Sequence, residues 1–173
     1  MIALLSGQIL EQNANHLILD VHGVGYLITV SSSTLNQIQG LSGNISLFIE
    51  MIVREDSLTL YGFYTSEEKK AFTLLQSVQG VGAKAAISIL SVLTPDGLKQ
   101  AILSSDKAMV SRADGVGPKL AQRIVNELAE KIGKLPIGHG SGDDIATSTA
   151  GSNDSTLAQD ALSALVNLGY SQS

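Results

Sequence analysis

Two ten-residue stretches of the chain place the same chemistry twice. Gly80-Val81-Gly82-Ala83-Lys84-Ala85-Ala86-Ile87-Ser88-Ile89 recurs 35 residues on as Gly115-Val116-Gly117-Pro118-Lys119-Leu120-Ala121-Gln122-Arg123-Ile124. Both glycines, the valine, the lysine, an alanine and an isoleucine stand in register. Each copy reads as a helix, a tight turn and a second helix. Glycine opens the backbone angles of a short hairpin and lets a ligand approach the main chain. The valine plugs the two helices together, so the amides after it point outward. Unpaired N–H groups at the positive end of a helix dipole form a phosphate site. Lys84 and Lys119 sit where they add charge, and Pro118 suits the first helical turn.

A lone Gly-Val-Gly is most simply a helix–helix turn. Two copies in register, each with a lysine two residues on, point instead to a nucleic-acid backbone, and the charge distribution agrees. The whole chain of 173 residues carries a formal charge of −5, yet ten of its eleven basic residues fall in 64–134. Residues 1–63 net −4, 64–134 net +3 and 135–173 net −4. A polyanion would bind the middle segment.

Other chemistries find no footing. The third glycine of a dinucleotide fingerprint is replaced by Ala85 and Leu120, and no Gly-Lys-Ser/Thr P-loop occurs, so ATP-driven work would come from another chain. There is no cysteine, and His16, His22 and His139 lack metal-ligand spacing, so neither a metal nor a cofactor is expected. No Gly-x-Ser-x-Gly elbow is present. Seven Tyr and Phe leave little for base stacking, which favours backbone recognition. With no long apolar run and no signal-like start, the expected location is the cytoplasm.

The elements that must position the repeats are legible around them. Residues 1–63 alternate as strands through Leu17-Ile18-Leu19-Asp20-Val21, Tyr26-Leu27-Ile28-Thr29-Val30 and Ile45-Ser46-Leu47-Phe48-Ile49, with a helical turn over 34–39. Five short strands in about sixty residues suggest a small barrel. From Thr65 the period becomes helical. Thr65 and Glu68 form a capping-box pair before Ala71, Phe72, Leu75 and Val78, while Lys69-Lys70 reads as a solvated face. Thr94-Pro95 starts another helix, and four or five short helices run to about Lys134. Residues 135–154 read as a flexible linker, 13 of the 20 being Gly, Ser, Thr, Asn or Asp. Thr156 and Gln159 then cap one amphipathic helix within 155–173.

The paired motifs, His22-Gly23-Val24-Gly25-Tyr26 and the stretch Val53-Arg54-Glu55-Asp56-Ser57-Leu58-Thr59-Leu60-Tyr61-Gly62-Phe63 together resemble the RuvA family of bacterial Holliday-junction-binding subunits. The resemblance spans nearly the whole chain. It implies an oligonucleotide-binding-type barrel, tandem helix-hairpin-helix motifs, and a tethered C-terminal module of ubiquitin-associated type. Of that module, residues 155–173 are expected to supply the first helix, the chain being either truncated or built with an incomplete module. It further implies a non-catalytic homotetramer, one or two per junction, that holds a four-way DNA junction open and square in recombination and repair. A RuvB motor ATPase and a RuvC resolvase would be its partners.

By position, main-chain amides around Gly80, Val81, Gly82, Lys84, Gly115, Val116, Gly117 and Lys119 would hold phosphates. Arg123, one turn past Lys119, would add a charge-assisted contact. Glu55 and Asp56 match the acidic pin at the junction centre, although without the family they are a polar hairpin turn. Arg54 either touches DNA or neutralises its neighbours. The rival reading is a helix-hairpin-helix base-excision glycosylase or lyase with a lysine nucleophile at 84 or 119. After Lys119 the next aspartates are Asp143 and Asp144, already in the linker, and such an enzyme would leave the barrel unexplained.

Overall fold

A computed structural model describes residues 1–41 and 43–134, and the expected linker and C-terminal helix lie outside the described residues. The chain first runs β1 (Leu4–Gln12), β2 (His16–Val21), β3 (Val24–Val30), α1 (Ser32–Ile38), β4 (Asn44–Val53) and β5 (Leu58–Phe63). It continues as α2 (Ser66–Gln76), α3 (Ala83–Val92), α4 (Pro95–Leu103), α5 (Lys107–Val110) and α6 (Pro118–Lys134). The change of period at Thr65 falls between β5 and α2.

The strands close into a barrel in the order β1-β2-β3-β5-β4, antiparallel except where β3 meets β5. The register follows from side-chain alternation. Leu17 and Leu19 of β2, like Leu47 and Ile49 of β4, are fully buried, and the residues between them face outward. The β2–β3 hairpin turns on His22 and Gly23, both at positive φ (53° and 88°), the mirror-image turn whose twist matches a two-residue loop. Asp20 fixes it by accepting the Gly23 N–H at 2.7 Å. Helix α1 sits between β3 and β4, as in an oligonucleotide-binding barrel.

Two apolar cores form, one inside the barrel and one among α2–α6. Phe63, the last residue of β5, belongs to the helical core and packs against Phe72 with the rings tilted and 4.9 Å between their centroids. Each fully buried Leu, Ile or Phe contributes about 1.5–3 kcal/mol relative to exposure. The barrel and helices form one compact unit. No described helix is long and apolar enough to cross a membrane.

Candidate nucleic-acid interface

The repeat folds into two hairpins with matching hydrogen bonds. In the first, between α2 and α3, the Val81 N–H donates to the Val78 carbonyl at 3.1 Å. In the second, between α5 and α6, the Val116 N–H donates to the Ala113 carbonyl at 3.1 Å. Both valine side chains are buried, at 6% and 5% exposure. Their own amides are therefore spent inside the turns, and the groups free to meet a ligand are those that follow.

Gly80 and Gly115 take φ of +91° and +78°, a left-handed conformation that costs other residues about 1–2 kcal/mol. Gly82 and Gly117 are different. Gly82 has an ordinary φ of −87°, and a Cβ added at either position would meet nothing within 4 Å. Neither conformation at Gly82 nor packing at either site demands glycine, whereas a ligand pressed against the main chain does.

The helices behind them have open N-termini. Ser31, Thr65, Thr94 and Asp106 cap α1, α2, α4 and α5 with a side-chain oxygen. Helix α3 starts at Gly82 with no side-chain cap, and Gly117 has no side chain to cap α6. The first intrahelical bonds are Ala86 N–H to Gly82 and Ala121 N–H to Gly117. The N–H groups of Ala83, Lys84 and Ala85, and of Lys119 and Leu120, find no acceptor among the described residues, while Pro118 has no N–H. Lys84 and Lys119 are exposed and without an ion pair among the described residues.

The two hairpins touch. Arg123 of α6 donates from Nη1 to the Gln79 carbonyl at 3.2 Å, in the first turn, and its Nε lies 3.9 Å from Glu127. A Cβ on Gly80 would sit 3.5 Å from Leu120 and 3.8 Å from Arg123. Arg123 thus braces the first hairpin from the second and still leaves half of its side chain exposed.

Arg54, Glu55 and Asp56 occupy the exposed tip between β4 and β5, closed by the Arg54 N–H on the Ser57 carbonyl at 2.8 Å. Their side chains make no hydrogen bond or ion pair among the described residues. The exposed cross-strand pair Val53 and Leu58 flanks the acids.

The sequence reading missed the residues that join barrel to helices. Glu68 is buried at 2% exposure, and Lys69, read as solvated, donates to the Ile49 carbonyl at 2.7 Å and pairs with Glu50 at 3.4 Å. Lys131 donates to the Ser77 carbonyl and hydroxyl at the end of α2. A signal for Glu68 was available, because it falls on the apolar stripe of Ala71, Phe72 and Leu75.

The barrel and hairpins define a tandem helix-hairpin-helix protein with an oligonucleotide-binding-type barrel. The family described as RuvA N terminal domain matches residues 1–62, and that described as SAM-like Helix-hairpin-helix tandem matches residues 72–130. The chain belongs to the RuvA family. A Zymomonas mobilis protein named Holliday junction branch migration complex subunit RuvA is 45% identical over 98% of this chain and 83% of its own. Proteins of the same name from Sinorhizobium medicae and Paramagnetospirillum magneticum are each 47% identical, over 99% and 98% of this chain and 84% and 82% of theirs.

Proposed function

We propose that the chain is a non-catalytic subunit that binds four-way DNA junctions through their phosphate backbones, assembles as a homotetramer in the cytoplasm, and presents the junction to a separate ATP-driven branch-migration motor. The observation that carries this reading is the pair of uncapped helix N-termini behind Gly82 and Gly117, glycines that packing does not require. Two such sites, each with an exposed lysine, suit backbone phosphates better than a base edge. The names of the relatives supply the junction and the branch-migration complex.

In this reading the N–H groups of Gly82, Ala83 and Lys84 and of Gly117 and Lys119 hold phosphates, Gly80, Val81, Gly115 and Val116 shape the turns, and Arg123 adds a donor. Four subunits around a junction bring Glu55 and Asp56 together at its centre, where they repel phosphate and keep uninterrupted duplex out. A likeness that raises affinity for the right shape is thereby joined to an element that rejects the wrong one. Arg54 lies beside them as a further donor to the crossing strands. A resolvase would act on the same open junction.

The test is a competition gel shift of a four-way junction against linear duplex at stated salt, alongside sedimentation of the protein with and without junction. A strong junction preference and a tetramer are expected, and equal affinity for both DNAs sinks the reading. Glu55→Gln with Asp56→Asn should bind duplex more tightly and lose junction preference. A merely solvated turn would leave the ratio unchanged. A lyase would instead form a covalent adduct with abasic DNA under borohydride.

A further inference from the structure

We propose that Glu68 is a positioning residue for junction selectivity, fixing the angle between the acidic β4–β5 turn and the two phosphate-binding hairpins. This inference rests on the function proposed above and adds to it a residue that lies on neither DNA-facing surface.

Helix α2 does not need the Glu68 carboxylate for its cap, because Thr65 already accepts the Glu68 N–H at 3.2 Å. The carboxylate reaches elsewhere. Its Oε2 accepts the Thr34 hydroxyl at 3.0 Å and the Tyr64 N–H at 3.0 Å, and its Oε1 accepts the Gln37 amide at 2.8 Å. Thr34 and Gln37 belong to α1, on the barrel, and Thr34 is itself fully buried. No base pairs with Glu68 among the described residues, so a buried carboxylate is held by three neutral donors. Burying a charge is costly unless every lone pair is engaged, and these contacts are directional where apolar packing is not.

Two further ties lie close by. Lys69 grips β4 through the Ile49 carbonyl and Glu50, and the Ser32 N–H of α1 donates to Ser91 of α3 at 3.1 Å. Strand β4 runs from the Lys69 tie straight into the acidic turn, and α2 runs from Glu68 straight into the first hairpin. The six residue steps from Ile49 to Glu55 span about 20 Å of extended chain, so a 10° tilt at the joint would swing the acids by about 3.5 Å. Without the Glu68 ties, the contact of Tyr61 and Phe63 with Phe72 remains, and it resists separation better than tilt.

The experiment compares the unaltered full chain with Glu68→Gln, Glu68→Ala and Thr34→Val for binding to an immobile four-way junction and to linear duplex of equal length at one salt concentration. Glu68→Gln keeps the ties, since its carbonyl accepts from Thr34 and Tyr64 while its amide donates to a flipped Gln37. It should hold the ratio of the two dissociation constants within about twofold. Glu68→Ala should lower that ratio about tenfold, on the junction side, with duplex affinity kept because both hairpins are intact.

Thr34→Val removes one tie, should move the ratio the same way by less, and decides the matter if Glu68→Ala fails to fold. Equal loss for both DNAs in Glu68→Ala, or a ratio unchanged in Thr34→Val and in Glu68→Ala where it folds, overturns the inference. A ratio of one in the unaltered chain overturns the junction reading itself, and this inference falls with it.

Discussion

The two hairpins share a turn and differ in everything that frames it. The first is led by α2, eleven residues capped by Thr65, and the second by α5, four residues capped by Asp106. A four-residue helix is far below the length at which a helix sustains itself, so the second turn depends on the helix after it, the seventeen-residue α6. That helix also serves the first hairpin, through Arg123 on Gln79 and Lys131 on Ser77. The residue matching Arg123 in the first repeat is Ser88, too short to return the support. Repetition therefore gives two like turns on an unequal scaffold, in which the second motif holds the first.

The largest effect expected is on binding through the likeness of the turns. Gly82→Val combined with Gly117→Val places side chains in open space, so the fold should survive while junction affinity falls about a hundredfold, from loss of charge-assisted bonds at two sites. Thermal melting beside a binding titration checks this, and a matching loss of stability would contradict it.

Next comes stability. Gly80→Ala forces a left-handed alanine and should cost about 1–2 kcal/mol. Gly115→Ala pays the same backbone strain but has no Leu120 or Arg123 beside it, so it should cost no more. Chemical denaturation of both variants ranks them, and a clearly larger loss at Gly115 would reverse the order of support drawn above.

Smaller effects separate charge from bracing. Lys119→Ala and Lys84→Ala should each reduce the slope of log affinity against log salt by about 0.9 and leave stability alone. Arg123→Ala should do both, flattening the slope and loosening the first turn, which hydrogen exchange at Val81 would read.

Smallest is the acidic start of α2. The Glu67 carboxyl is held below its ordinary value near 4.5 by a hydrogen bond from its own backbone N–H, then by Ser66, with Lys70 adding attraction. Its folded-state value lies under the unfolded one, so its stabilisation is present above pH 4.5 and fades as pH falls through the lowered value. Helix α5 has no acid in its first turn. Glu67→Gln should slightly flatten the acid limb of stability, measured by melting from pH 6 down, and an unchanged limb would remove this difference between the leading helices.

The repeat was legible in the sequence because a turn is local: glycine, valine and lysine within five residues determine it without help from afar. The strands were legible for a similar reason, since Leu17 and Leu19 alternate with residues that face outward. Their partners were not. Nothing in the alternation of Tyr26 to Val30 says that β3 closes on β5 in parallel, for pairing depends on chain remote in sequence. Glu68 and Lys69 escaped for the same cause, each meeting partners 19 to 34 residues away. The spacing that makes Glu68 a capping residue is correct, yet its carboxylate bonds the Tyr64 N–H and α1 rather than the cap itself.

The tie from Lys131 to Ser77 has a consequence in time. The two residues are 54 apart in the chain. At a synthesis rate of about 5–20 residues per second, the end of α2 emerges some 3–11 s before the lysine that will engage it. The first hairpin is thus the earlier one made and the later one finished, and a nascent chain holds no complete pair of braced turns until α6 has left the ribosome.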